Sequence, residues 1–308
     1  GFRHLEVWML RRCLTTVARA GGGPRLKPQG PKKGLWRMTT RVIGSAALAT
    51  TALTGWQYYR LRTEYRPLTP PKGAMSGIEG PSESDCKDEC QILFIGDSLV
   101  IGIGCPDRAE GPVFARHISR VAAQALRRRV KWKVLGVDGG DVQTIRQSLL
   151  EDVRKAAANG QPKVTAVVIM CGLNDYKRLI QEGRLPSAFK EDLRLLIRNV
   201  KEIVGQEARV VLPALPVDRA PLFQPLFPMN VALYKVAKVW DHQKRLLSGE
   251  EQSVEFVAEP EHYDSNDWAI DGIHPSEKGT KFPNGSLLCI TDVFIFTLEG
   301  TQSGLITL

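Results

Sequence analysis

Two apolar runs, each ending abruptly in glycine and short polar residues, limit this chain to few folds. Ile92 to Ile95 stops at Gly96-Asp97-Ser98, and Val164 to Cys171 stops at Gly172-Leu173-Asn174-Asp175. A short apolar run that does not alternate reads as a strand buried on both faces of a parallel sheet. Polar residues at the carboxyl end of such a strand sit at the rim of the sheet, where open α/β sheets place ligands. Ser98 is thereby a candidate nucleophile.

The segments between these runs read as helices. Phe114, Ile118, Val121 and Ala125 share one face, with Arg116, Arg120 and Arg127 on the other, after Gly111-Pro112 opens the helix. Trp132 to Val137 reads as a strand, and Val142, Ile145, Leu149 and Val153 give the next helix its stripe. Phe189, Leu193, Leu196, Ile197, Val200 and Ile203 line another helix, followed by a strand at Ala208 to Leu215. A helix capped by Asn230 runs through about Leu247, and Val254 to Ala258 is a fifth, short strand. Alternating strands and helices with right-handed crossovers predict a three-layer α/β/α sandwich around a mainly parallel, flavodoxin-like five-stranded sheet.

Charge separates this region from what precedes it. The net charge is +9, but residues 1–62 hold twelve Lys/Arg against the single acid Glu6, or +11, which leaves −2 for the other 246 residues. The folded part is not basic, and nucleic-acid binding is not implied. Residues 1–41 read as a disordered basic leader with a Gly/Pro-rich tract at Gly21 to Lys33. Residues 42–62 form a short apolar segment, Val42 to Trp56, with Arg37 and Arg41 before it and Tyr58, Tyr59, Arg60 and Arg62 after it. This order suits a single-pass anchor or signal-anchor, and the alternative is a targeting peptide of a soluble organelle protein. The run is about fifteen residues long and diluted by Gly44, Ser45, Thr50, Thr51, Thr54 and Gly55, short of the roughly eighteen wanted for a span. Residues 63–90, rich in proline and glycine, read as a linker. The six cysteines, at 13, 86, 90, 105, 171 and 289, form no metal signature. A Cys86–Cys90 disulfide is possible on spacing but not indicated.

A third segment supplies the remaining parts of a nucleophilic site: Asp271-Gly272-Ile273-His274-Pro275-Ser276. A serine hydroxyl is a weak nucleophile at neutral pH and needs a base, which His274 can be. A carboxylate must fix the imidazole tautomer, and Asp271 can do so if both lie in one turn.

Four blocks now stand in order: Gly96-Asp97-Ser98-Leu99, the glycines of Val137-Asp138-Gly139-Gly140-Asp141, Gly172-x-Asn174-Asp175, and Asp271-x-x-His274-Pro275. Together they resemble the SGNH family of GDSL-type hydrolases over residues 91–279. The resemblance implies a serine esterase or lipase-like acylhydrolase with Ser98 as nucleophile, His274 as general base and Asp271 orienting the histidine. It implies an oxyanion hole made by the backbone N–H groups of Ser98 and Gly140 and the side-chain amide of Asn174, with Gly139 the alternative to Gly140. It implies no metal or organic cofactor, and a small-molecule or lipid-like acyl ester as substrate. Asp97 and Asp175 read as loop-holding residues, His117, His242 and His262 as structural, and Cys105, Lys177 and Arg178 as pocket-lining or solvated.

Residues 280–308 depart from the family, which continues into a helix where this chain has Phe282-Pro283-Asn284-Gly285 and then an apolar, β-rich tail. That departure leaves a second reading open, a catalytically weak membrane-tethered binding module on the same fold. Phosphoryl transfer through Asp97 is a third reading, which would want further acidic residues around the strand end to hold Mg²⁺.

Overall fold

The computed structural model describes residues 33–66, 68–84, 88–105, 111–158, 162–215, 217–258 and 265–276. Most of the leader, Cys13, Cys86, His262, Cys289 and the tail from 277 onward lie outside the described residues. The chain divides into two units, 1–56 and 57–308. The described part of the first unit lies in helix α1 (Lys33–Glu64), whose last turns belong to the second.

Val42 to Trp56 lies inside α1, and among the described residues no helix is long and apolar enough to cross a membrane. The hydroxyls of Thr51 and Thr54 donate back to the carbonyls of Ala47 and Thr50, which accommodates these diluting residues within the helix. Met38, Val42, Ile43, Leu48, Trp56 and Tyr59 are all exposed.

The second unit is built on a six-stranded sheet: β1 (Ser76–Glu79), β2 (Glu89–Gly96), β3 (Arg129–Gly136), β4 (Val164–Met170), β5 (Arg209–Pro213) and β6 (Val254–Val257). Their spatial order is β1-β3-β2-β4-β5-β6. Without β1 the order is that of a flavodoxin-like sheet, and all four pairings among those five strands are parallel.

The sixth strand is the difference from the sequence expectation. Residues 76–79, read as linker, pair antiparallel with β3, from Ser76 opposite Lys133 to Glu79 opposite Val130. Gly77 sits opposite Trp132, where a Cβ would lie 2.8 Å from the indole, so the missing side chain makes room for the ring. Glu79 accepts from Arg116 and Arg120 at 3.1 Å each. The edge strand is thereby tied to the helix beneath it. With one β-branched residue in four, it carries no strand periodicity to be read.

The central strands show why their sequence does not alternate. Ile92 and Phe94 of β2 pack on one side of the sheet with Phe114, Ile118 and Ala122 of α3 (Val113–Leu126). Leu93 and Ile95 point to the other side, against α4 (Val142–Ala158), α6 (Pro186–Val204) and α7 (Met229–Glu250). β4 repeats this design, with Ala166 and Val168 on one face and Val167 and Ile169 on the other. All eight side chains are fully buried, and the larger aliphatic and aromatic ones among them each contribute roughly 1.5–3 kcal/mol by leaving water.

Candidate active site

The site forms where β2, β3 and β4 end. β2 runs into α2 (Ser98–Ile101), a single turn capped by Asp97, whose Oδ1 accepts the Leu99 N–H at 3.1 Å. So tight a turn needs space beside the strand ends, which Gly96 and its β3 neighbour Gly136 provide. A Cβ on Gly96 would lie 2.2 Å from the Met170 carbonyl oxygen, and one on Gly136 would lie 2.4 Å from Ile101. The close approach is a backbone requirement at the strand end, and it presents Ser98 at the head of α2.

His274 comes from a loop far along the chain that folds back on itself. The Ala269 N–H donates to the His274 carbonyl at 2.8 Å, the Ser276 N–H to the Asp267 carbonyl at 2.8 Å, and the Gly272 N–H to the Ala269 carbonyl at 2.9 Å. The Leu222 N–H also donates to the Gly272 carbonyl at 3.2 Å, which fixes the loop from a second segment. Gly104, at φ 97°, lets the loop after α2 pass under His274, where a Cβ would stand 2.7 Å from that of the histidine.

These loops bring three of the sequence-predicted residues into one chain of hydrogen bonds. His274 Nε2 lies 3.0 Å from Ser98 Oγ, and Nδ1 lies 2.6 Å from Asp271 Oδ2. Asp271 Oδ1 accepts the backbone N–H groups of Ile273 and His274, both at 3.1 Å, so the three-residue spacing closes within one turn. Burial alone would push the Asp271 carboxyl up. The hydrogen bonds from the imidazole and these two N–H groups outweigh it, and the carboxyl is held below its ordinary range. An ionised carboxylate can only accept, so Nδ1 carries the proton and Nε2 is left to accept from the serine hydroxyl.

Asn174, at the start of α5 (Leu173–Glu182), is buried beside Asp97. Its Nδ2 donates to the Gly140 carbonyl at 3.0 Å and to Asp97 Oδ2 at 3.3 Å, while its Oδ1 accepts from Lys177 Nζ at 2.7 Å. The Gly140 N–H donates to the Val137 carbonyl at 3.0 Å. The Ser98 N–H has no acceptor among the described residues. Gly140 is buried against Asn174, whereas Gly139 is exposed at φ 68° with open space around it.

The acids beside the site hold loops. Burial pushes the Asp97 carboxyl up to about 6, against the opposing pull of the Leu99 N–H and of His274. Asp175 Oδ2 accepts the Val142 N–H at 3.3 Å, and Asp141 Oδ1 accepts the Thr144 N–H at 2.8 Å, so both secure the start of α4. Burial and then the neighbouring Asp141 charge push Asp175 up to about 7. Arg178 pairs with Asp141, and Lys177 is exposed but bonded to Asn174. Cys90, Cys105 and Cys171 are buried. His117 is half-buried in α3 and His242 is exposed on α7; neither belongs to the cluster around Ser98.

Sequence reasoning missed Tyr65. Its hydroxyl donates to Asp271 Oδ2 at 3.2 Å, and a lone tyrosine 206 residues away carries no signal of that contact.

The sequence model of the GDSL-like lipase/acylhydrolase family matches residues 94–282, well over half of the chain. The protein belongs to that family. It is accordingly a hydrolase acting on ester bonds, as the four sequence blocks imply. Among solved structures it is similar to the lipase Lip_vut3 from a goat rumen metagenome, with 18% identity, a TM-score of 0.48, and 68% of this chain and 97% of that one covered. It is likewise similar to a lipase/acylhydrolase from Enterococcus faecalis, at 20% identity and a TM-score of 0.46 over 68% and 96% of the two chains. A GDSL-like lipase from Parabacteroides merdae shares 23% identity at a TM-score of 0.43, again over 68% and 96%. No curated protein matches the sequence.

Proposed function

We propose that this GDSL-family hydrolase cleaves carboxylic esters through an acyl-enzyme on Ser98. The observation that carries the reading is the continuous chain Ser98 Oγ, His274 Nε2, His274 Nδ1, Asp271 Oδ2, with both links at hydrogen-bonding distance. His274 Nε2 takes the serine proton as Oγ attacks the ester carbonyl carbon, and Asp271 steadies the imidazolium that forms. As the tetrahedral intermediate collapses, Nε2–H returns that proton to the departing alkoxide and the acyl group stays on Oγ. A water molecule then repeats the sequence, giving its proton to Nε2, and the acid leaves as Ser98 regains its hydrogen.

The developing oxyanion is met by the free Ser98 N–H, with Asn174 Nδ2 and the Gly140 N–H as further donors. Asn174 Nδ2 now bonds Asp97 and Gly140, so its protons must turn from one of these acceptors as charge appears. Catalytic hydrogen bonds are often completed only with substrate present. The same occupied donors favour the second reading, a weakly catalytic binding module on this fold. Stoichiometric labelling of Ser98 by a fluorophosphonate, followed by turnover of short and long acyl esters, tests the proposal. Labelling without turnover selects the binding module, and absence of both overturns the acyl-enzyme.

For the leader, the exposed apolar residues of α1 next to Arg37, Arg41, Arg60 and Arg62 support membrane association through residues 42–62. Recovery of the intact full chain in the membrane fraction after carbonate washing supports it. A soluble product that has lost Trp56 refutes it.

A further inference from the structure

Asp271 Oδ2 takes two donors: the His274 imidazole at 2.6 Å and the Tyr65 hydroxyl at 3.2 Å. Tyr65 directly follows α1, and its N–H still donates to the Leu61 carbonyl at 3.0 Å, so the end of the helix sets where the ring stands. The anchoring continues about two turns back. Gln57 is buried and its Nε2 donates to the Phe227 carbonyl at 2.8 Å. The segment from Gln57 to Tyr65 is therefore fixed at two points of the hydrolase unit, although it lies outside residues 94–282 that define the family.

We propose that Tyr65 is a positioning residue of the active site, which holds the Asp271 carboxylate and moderates its pull on His274. The proposal rests on the acyl-enzyme reading of Ser98, His274 and Asp271. Chemically, a hydroxyl that donates to a carboxylate takes up part of its charge and one of its lone pairs. Asp271 then stabilises the imidazolium less than it would alone. Tyr65 is suited to the role because it remains a donor: burial first, and then the charges of Asp271 and Asp138, push its hydroxyl well above its ordinary range. Among the described residues, the other groups facing the pair are Ser98 on α2, Asp97, whose carboxyl feels the His274 charge, and Asp138 on the β3–α4 loop. None of them is altered by removing the tyrosine hydroxyl.

The test is Tyr65→Phe in the full chain, with kcat and KM measured across pH beside wild type and His274→Ala. The substitution removes one oxygen and keeps the ring. The acidic limb of kcat/KM should move to higher pH by about half a unit, a fraction of the roughly one to two units that a hydrogen bond to a charged group is worth, because the hydroxyl acts on His274 only through Asp271. KM should stay unchanged. The low-field proton resonance of the histidine Nδ1–H should move in the same variant, which follows the bond without any substrate. Tyr65→Leu, which also removes the ring, must reproduce the shift of the limb. If His274→Ala is inactive while Tyr65→Phe leaves both limb and resonance where they were, Tyr65 has only a packing role and the proposal is overturned. If His274→Ala keeps the wild-type rate, it is the underlying acyl-enzyme reading that fails.

Discussion

Asp175 offers a measurement in which the structure sets both sign and size. The carboxylate is buried at the start of α5, beside Asp141, and is pushed up from 3.8 to about 7. Below about pH 3.8 it is protonated in both native and unfolded chains, so it has no effect on stability. Between about 3.8 and 7 the unfolded chain loses the proton while the native state keeps it, and each pH unit costs the fold about 1.4 kcal/mol. Above 7 the penalty is constant, about 4 kcal/mol for the whole gap. Asp175→Asn removes the titration and keeps an oxygen able to accept the Val142 N–H. Titrating groups that do not feel the Asp175 charge cancel when variant and wild type are compared at one pH. The variant should therefore gain about 2–3 kcal/mol relative to wild type between about pH 5 and pH 8, with the gain levelling off above 7. Urea unfolding of both proteins at several pH values reads this directly. A stability difference that does not change with pH, or a variant less stable at pH 8, would refute the reasoning.

Ser98→Ala and His274→Ala should each abolish most turnover, and the double variant should be barely worse, because nucleophile and base act in one step; additive losses in kcat would contradict this. Asn174→Ala should lower kcat by roughly two to three decades with little change in KM, since its amide meets charge that exists only in the transition state. A change mainly in KM would assign Asn174 to substrate binding. Gly96→Ala should destabilise the fold by roughly 1–3 kcal/mol and reduce activity with it, because its Cβ would stand 2.2 Å from the Met170 carbonyl oxygen. An unchanged urea midpoint would show that β2 and β4 can part at no cost.

What the sequence disclosed, and what it hid, follow from the range of the forces involved. β2 and β4 were legible because burial on both faces leaves no place for polar residues, so their apolar runs carry the fold in their composition. Ser98, Asn174 and His274 were legible as candidates because each follows a glycine-bearing turn and belongs to a spaced block of the family. β1 was not, since an edge strand with Gly77 against Trp132 is specified by the partner's ring rather than by its own side chains. Lys177 was weighed only as a solvated or pocket residue, yet its ammonium is committed to Asn174 one turn back.

Tyr65 marks the limit of such reading. Its role depends on where the end of α1 meets a loop 206 residues later, a relation that no local pattern records. The same contact is made from within the segment read as linker, in the unit of residues 57–308. A protein cut near residue 85, which the linker reading of residues 63–90 would suggest as sufficient, loses β1 from the sheet edge together with its Glu79 ion pairs to α3. It also loses the hydroxyl on Asp271. The first loss acts on stability and the second on the pH response of the active site, so the two are separable in one shortened protein. A lower urea midpoint reports the missing strand, while an acidic limb displaced as in Tyr65→Phe reports the missing donor. The limb shift without the midpoint change would mean that β3 can serve as the sheet edge unaided.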